Sequence, residues 1–173
     1  MYVRRAVAGD VEPIARVHVL AWQAGYRGLL PQSLLDGLRA EQRVPRWTET
    51  LGRAAWPHRG TLVADDAGAV VGFVDLRPAT DDDPHAAGVG EISSFYVLPA
   101  LWRQGVGRVL MTAAVRTLAT AGYTSAALWV LESNQAALEF YVCLGWAPDG
   151  SVRDDVMGHT VVRDVRYWRS LSY

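Results

Sequence analysis

The chain has 173 residues, half of them apolar, which suits one compact domain spanning 1–173 with a substantial core. Its 17 basic and 18 acidic residues nearly cancel to −1, which excludes the electrostatic footprint of a nucleic-acid or anionic-membrane binder. The lone Cys143 excludes an internal disulfide and a cysteine-based metal framework, and four charges within the first dozen residues leave no room for a secretion signal; the expectation is a soluble, cytoplasmic protein without a metal.

Tyr2–Ala6 reads as a short opening strand. Asp10 then has the character of a helix N-cap, with Glu12 and Pro13 in the first turn of a helix running to about Gln23. The region from Pro31 to Ala55 predicts two more short helices, with Pro45 marking a start or a break. Thr61–Ala64 and Ala69–Leu76 flank Asp65–Gly68, a turn composition that predicts an antiparallel hairpin. Thr80–Gly90 is polar, carries Asp81, Asp82 and Asp83, and reads as a loop. Glu91–Val97 is the next strand, Gly105–Ala121 a helix stopped by Gly122, and Ser125–Leu131 an apolar strand. Ser133–Leu144 is a helix ended by Gly145, and the tail predicts two strands, near Trp146–Val152 and His159–Trp168. Strands 91–97 and 125–131, joined by a helical crossover, should lie parallel in a right-handed unit. With antiparallel hairpins around them the sheet is mixed, and the class is α/β or α+β.

Between that first strand and its helix stand Trp102, Arg103, Gln104, Gly105, Val106, Gly107 and Arg108. Two glycines one residue apart allow a tight turn at a helix start, where unpaired N–H groups and the macrodipole favour an anion. Arg103 and Arg108 add charge suited to phosphate. The competing readings are a tight strand-to-helix loop and a nicotinamide-binding Rossmann turn. The second lacks its third glycine, since Leu110 occupies that position, and eight positions separate Val97 from Gly105. Glu132 lies roughly where a ribose-binding acid would be, so that alternative is weakened, not removed. A P-loop is excluded because no Gly-Lys-Ser/Thr follows.

A second constellation follows the next strand. Asn134 and Tyr141 are seven residues apart and project from nearly the same helix face. Asn134 suits a cap or a ligand amide; Tyr141 carries a phenol of pKa ~10, able to donate a proton while neutral at pH 7. Taken singly, each also fits a plain structural role.

Together these residues resemble the GNAT N-acetyltransferases. The family's Arg/Gln-x-x-Gly-x-Gly/Ala signature is matched over residues 102–107, with Trp102 where Arg or Gln is usual. Its second motif is matched at Asn134, Ala137, Phe140, Tyr141, Gly145 and Trp146. The opening stretch, Arg5-Ala6 through His18, Trp22, Tyr26-Arg27-Gly28 and Pro31, is similar as well. The resemblance implies a strongly twisted, mixed sheet of six to seven strands flanked by four to five helices, its two central parallel strands splayed apart. It implies acetyl-CoA as cosubstrate, the pantetheine arm against the backbone of Phe95, Tyr96 and Val97, and the pyrophosphate on residues 103–108. At 102 the family position mostly offers its backbone.

The implied reaction is direct attack of an amine on the thioester. An amine of pKa ~10.4 is protonated at pH 7, so a base is needed. Glu91 is the candidate, against the alternative of an exposed strand-end glutamate. A backbone N–H near Val97 would stabilise developing negative charge, and Tyr141 would protonate the departing thiolate. Cys143 reads as a buried apolar thiol, and the scattered His18, His58, His85 and His159 show no metal-ligand pattern. On the acceptor side stand Trp22, Tyr26, Trp47 and Trp56. Trp22 and Tyr26 are candidate contacts for a small-molecule or peptide amine, against the plainer reading of such aromatics as core and lid packing. Asp81–Asp83 has the charge to attract a cation but also suits a solvated loop. A homodimer is a family-level expectation. Two other readings stay open: a non-catalytic acyl-CoA-binding module and an NAD(P)-binding oxidoreductase.

Overall fold

The computed structural model describes residues 1–80 and 88–171, so the Asp81–Asp83 run lies outside the described residues. Seven strands form one sheet: β1 (Tyr2–Arg5), β2 (Gly60–Asp66), β3 (Ala69–Pro78), β4 (Val89–Val97), β5 (Ser125–Leu131), β6 (Ala147–Met157) and β7 (Thr160–Ser170). Their spatial order is β1-β2-β3-β4-β5-β7-β6, with β4–β5 the parallel pair and the other neighbours antiparallel. Among the described residues five α-helices accompany it: α1 (Val11–Gly25), α2 (Gln32–Asp36), α3 (Val44–Gly52), α4 (Val106–Thr120) and α5 (Gln135–Cys143).

The helices divide between the two faces of the sheet. Leu110, Met111, Ala114 and Leu118 recur at helical spacing along α4 and meet Val71, Val74, Leu76, Ile92 and Leu128 on one face. On the other, Ile14, Ala15 and Val17 of α1 and Trp47 of α3 pack on Val63, Val70 and Phe73. Pro45 sits in the first turn of α3, where its missing N–H costs nothing. Asp10 departs from its expected capping role. Its carboxylate is taken by Arg4 at 2.7 and 2.9 Å and by the Val7 amide at 2.8 Å, so it closes the turn before α1 instead of capping it. The two tail strands run to Met157 and Ser170, longer than the residue types predicted.

Two features of β4 position the site. Asp75 of β3 pairs with Ser94 and the next residue, Leu76, pairs with Ile92, which leaves Ser93 as a bulge. A bulge bends its strand and increases the local twist. The β4–β5 ladder then runs only from Val89↔Ser125 to Ile92↔Leu128. Beyond it, residues 94–97 pair with β3 alone and residues 129–131 with β7 alone, so the two parallel strands part.

Candidate active site

The turn from β4 into α4 is built around unpaired amides. The N–H of Trp102 donates to the Pro99 carbonyl at 3.1 Å and that of Gln104 to Leu101 at 3.4 Å. The N–H groups of Arg103, Gly105, Val106, Gly107 and Arg108 have no acceptor among the described residues. Arg103 (φ 64°) and Gly105 (φ 89°) both take the left-handed conformation, the alternation that folds successive N–H groups into an anion-binding concavity. For Arg103, which has a Cβ, this costs roughly 1–2 kcal/mol. The exposed Arg103 and Arg108 side chains form no ion pair among the described residues. Free amides, a helix start and two uncommitted cations fit the diphosphate of a coenzyme.

The two glycines serve different ends. A Cβ at Gly105 would meet nothing within 4 Å, so its requirement is the positive φ. A Cβ at Gly107 would lie 3.1 and 3.2 Å from Cζ and Cε2 of Phe140, so there glycine lets α4 approach α5. Val106 between them is buried in the core.

Trp102 turns its indole back into the mouth of the gap. Its Nε1–H donates to the Val97 carbonyl at 2.8 Å, and its ring lies 3.7 Å from where a Cβ at Gly25 would be, leaving 42% of the residue exposed. Leu98 donates its N–H to Val71 at 2.9 Å. By the alternation of an antiparallel ladder, Val97 therefore turns its own polar groups away from β3 and toward the gap. With the carbonyl occupied by Trp102, the N–H is what Val97 has to offer there.

Phe95 and Tyr96 point to opposite faces, as neighbours on a strand must. The Phe95 ring lies 5.6 Å from Phe140 and 6.5 Å from Tyr141 on the α5 side. Tyr96 stacks on His18 of α1 at 5.0 Å. Tyr141 is buried, ringed by Phe140, Trp146 and Tyr167, and its phenol makes no hydrogen bond among the described residues. Burial, reinforced by the nearby Tyr96 phenol, pushes the Tyr141 phenol above its ordinary range, so it holds its proton at neutral pH. Burial does the same to Tyr26 and Tyr96, and Tyr26 is close enough to feel Tyr96, Tyr141 and Asp164. Three neutral phenols thus share one neighbourhood beside the gap. Trp22 and Tyr26 are half-buried, ring to ring at 5.0 Å; Trp47 is core, 1% exposed.

Asn134 is the N-cap of α5, its Oδ1 accepting from the Ala137 amide at 3.2 Å. Glu91 is buried, not an exposed strand end, and faces Arg77 across the β3–β4 ladder. Arg77 donates to its Oε1 from Nη2 at 2.6 Å and from Nε at 3.2 Å, leaving Oε2 without a partner among the described residues. Cys143 corrects an expectation: it is exposed, because α5 turns Tyr141 inward and carries residue 143 to the opposite face. No trio of His, Cys, Asp or Glu among the described residues could hold a metal, and no helix of theirs is long and apolar enough to cross a membrane.

Residue types gave no sign of the Ser93 bulge. Its hydroxyl donates to Asp75 Oδ2 at 2.5 Å, while Thr61 donates to Oδ1 at 2.8 Å. Burial raises the Asp75 carboxyl against the pull of these bonds. The inward turn of Trp102 was equally hidden.

Residues 15–146 match the sequence profile of the acetyltransferase (GNAT) family. The N-acetyltransferase YuaI of Bacillus subtilis is 31% identical over 140 residues, 80% of this chain and 76% of its own length. A mycothiol acetyltransferase of Frankia casuarinae is 33% identical over 134 residues, 70% of this chain; this chain spans only 35% of that longer relative. In fold, the chain is similar to the acetyltransferase yncA of Salmonella typhimurium bound to acetyl-CoA, with a TM-score of 0.73 at 17% identity over 100% of this chain and 95% of the other. The chain belongs to the acetyltransferase (GNAT) family. As such it is an acyltransferase.

Proposed function

We propose that this protein acetylates a primary amine of a small molecule or peptide by direct attack, with no covalent acyl-enzyme. The observation that carries the reading is the row of five acceptor-free amides at residues 103 and 105–108, set at the end of a strand that parts from its parallel neighbour. When bound there, acetyl-CoA supplies an activated acyl thioester.

The residues divide the remaining work. The amides and Arg103 and Arg108 hold the diphosphate, with Trp102 and Gln104 shaping the turn. The edges of Phe95, Tyr96 and Val97 border the pantetheine path, and Asn134 and Ala137 border it from the start of α5. Val97 N–H meets the charge that develops on the carbonyl oxygen. Glu91, through the Oε2 that Arg77 leaves free, draws the proton from the incoming ammonium, directly or through water. Tyr141 gives its proton to the departing sulfur. Trp22 and Tyr26 form one wall of the acceptor site. Cys143 faces away from this constellation, which favours direct attack over a ping-pong route.

The reading is tested by thermal shift with acetyl-CoA, CoA and NAD(P), followed by release of free CoA across a panel of amines. Stabilisation by both CoA forms with amine-dependent CoA release is expected. Stabilisation without release for any amine would reduce the protein to a binding module, and a response to NAD(P) alone would overturn the reading.

A further inference from the structure

One group on the acceptor face has no part in the chemistry above. Arg43, in the turn before α3, is half-buried with its guanidinium carbon 5.4 Å from the centre of the Trp22 ring. Its Nε is sealed from solvent and has no acceptor, and the buried Trp22 indole N–H beside it has none in hydrogen-bonding geometry. Arg46, one turn further on, lies 5.5 Å above the Trp47 ring. Neither arginine meets a carboxylate among the described residues; the buried Glu91 and Asp164 pair with Arg77 and Arg153 instead, and Glu49 with Arg53.

The surroundings offer no internal anion. Asp75 is the acid close enough to feel Arg46, and its two oxygens already accept from Thr61 and Ser93. His18 between them is neutral, its Nδ1 accepting from the Trp47 indole at 3.1 Å. Burial and repulsion from Arg46 both disfavour the charge on Arg43. A half-buried cation beside a second cation is a costly arrangement without a counter-ion. A planar guanidinium fork matches a carboxylate bidentately, and a phosphate ester is the competing oxyanion that the test must separate from it.

The cluster also adjoins the reacting centre. Arg43 acts on the Tyr96 phenol, Trp22 touches Tyr26, and Tyr26 and Tyr96 both neighbour Tyr141. We infer that Arg43, through its terminal guanidinium nitrogens and with Arg46 in support, binds a carboxylate carried by the acceptor, so the substrate class is amino acids and related molecules bearing both an amine and a carboxylate. The inference rests on the acetyl-transfer reading and narrows it.

The test is thermal shift in the presence of saturating CoA, which cannot react. The probes are free amino acids, their carboxamides, the matching decarboxylated amines and O-phosphoethanolamine. At least one free amino acid should raise Tm above the CoA-bound value, and its amide and amine should not. Arg43→Gln should abolish that increment while keeping the rise due to CoA, and Arg43→Lys should retain part of it. Arg46→Gln, at an exposed site that threatens folding least, should weaken it. In turnover with acetyl-CoA, kcat/KM should favour acid over amide by at least tenfold, and Arg43→Gln should remove that ratio. The inference is overturned if no amino acid shifts Tm, if amides, amines or the phosphate ester do as well, or if the preference survives Arg43→Gln. Failure of the acetyl-transfer reading looks different: neither CoA nor acetyl-CoA would then stabilise the wild type.

Discussion

Tyr141 is held where a proton is kept, not shared. Its phenol is buried, bonded to nothing among the described residues and pushed above its ordinary range, which suits an acid that acts only when a basic sulfur arrives. Tyr141→Phe should therefore lower kcat by roughly 10²-fold or more while leaving KM for acetyl-CoA near wild type, the signature of an interaction made only at the transition state. Steady-state kinetics with an identified amine would read this, and unchanged turnover would reject the acid role. Glu91→Gln should likewise reduce kcat with acetyl-CoA binding intact, because Arg77 holds the residue in place through Oε1 alone. Loss of acetyl-CoA binding instead would mean that the buried pair is structural. Both residues are candidates by type and position alone. That Glu91 is buried and ion-paired was not legible in the sequence, since the pairing depends on a register with a strand 14 positions earlier in the chain.

At the scale of elements, the junction of α4 with α5 and the turn before it separate two kinds of glycine. Gly107→Ala would press a methyl against Phe140 at about the 3.1 Å found for a Cβ there. Such overpacking should cost about 1–3 kcal/mol and disturb the neighbour of Tyr141. Denaturant unfolding should show the loss, and the double variant Gly107→Ala/Phe140→Leu should recover much of it. Gly105→Ala has open space around it but a φ of 89°. Its penalty of roughly 1–2 kcal/mol falls on the turn, and KM for acetyl-CoA should rise with little change in kcat. If the two variants behaved alike, the division of labour would be wrong. The Gly-x-Gly motif marked the turn in the sequence; only packing tells which glycine serves the backbone and which makes room for a ring.

For the whole molecule, pH is the coordinate that exposes the core. His18 is buried among Trp22, Trp47, Phe73 and Tyr96, and desolvation, helped by Arg43 and Arg46, lowers its pKa from the ordinary 6.5 to about 3. The unfolded chain therefore binds a proton that the folded chain refuses. This contribution to stability is complete above pH ~6.5 and is lost as pH falls from there toward 3, at a slope approaching about 1.4 kcal/mol per pH unit. Asp10 and Asp65, both held low by Arg4, add a further loss at still lower pH. Asp75, whose carboxyl is raised by burial, works in the opposite sense and favours the native state in acid. Urea titrations from pH 7 to 4 should show stability falling, and His18→Gln should flatten that slope. A wild-type curve flat between pH 6.5 and 4.5 would contradict the buried neutral imidazole.

The sequence by itself determined the order of elements, the parallel crossover from β4 through α4 to β5, the glycine turn and the Asn134–Tyr141 spacing. These are signals carried by residues close together in the chain: hydrophobic period, cap and turn chemistry, a short motif. What only the tertiary structure decided depends on partners far apart: the Ser93 bulge tied to Asp75, the indole of Trp102 closing on Val97, the Arg77–Glu91 pair, and Arg43 lodged against Trp22 without an anion. Strand register and the meeting of separate elements set these contacts, and a residue's type does not say which distant group it will face.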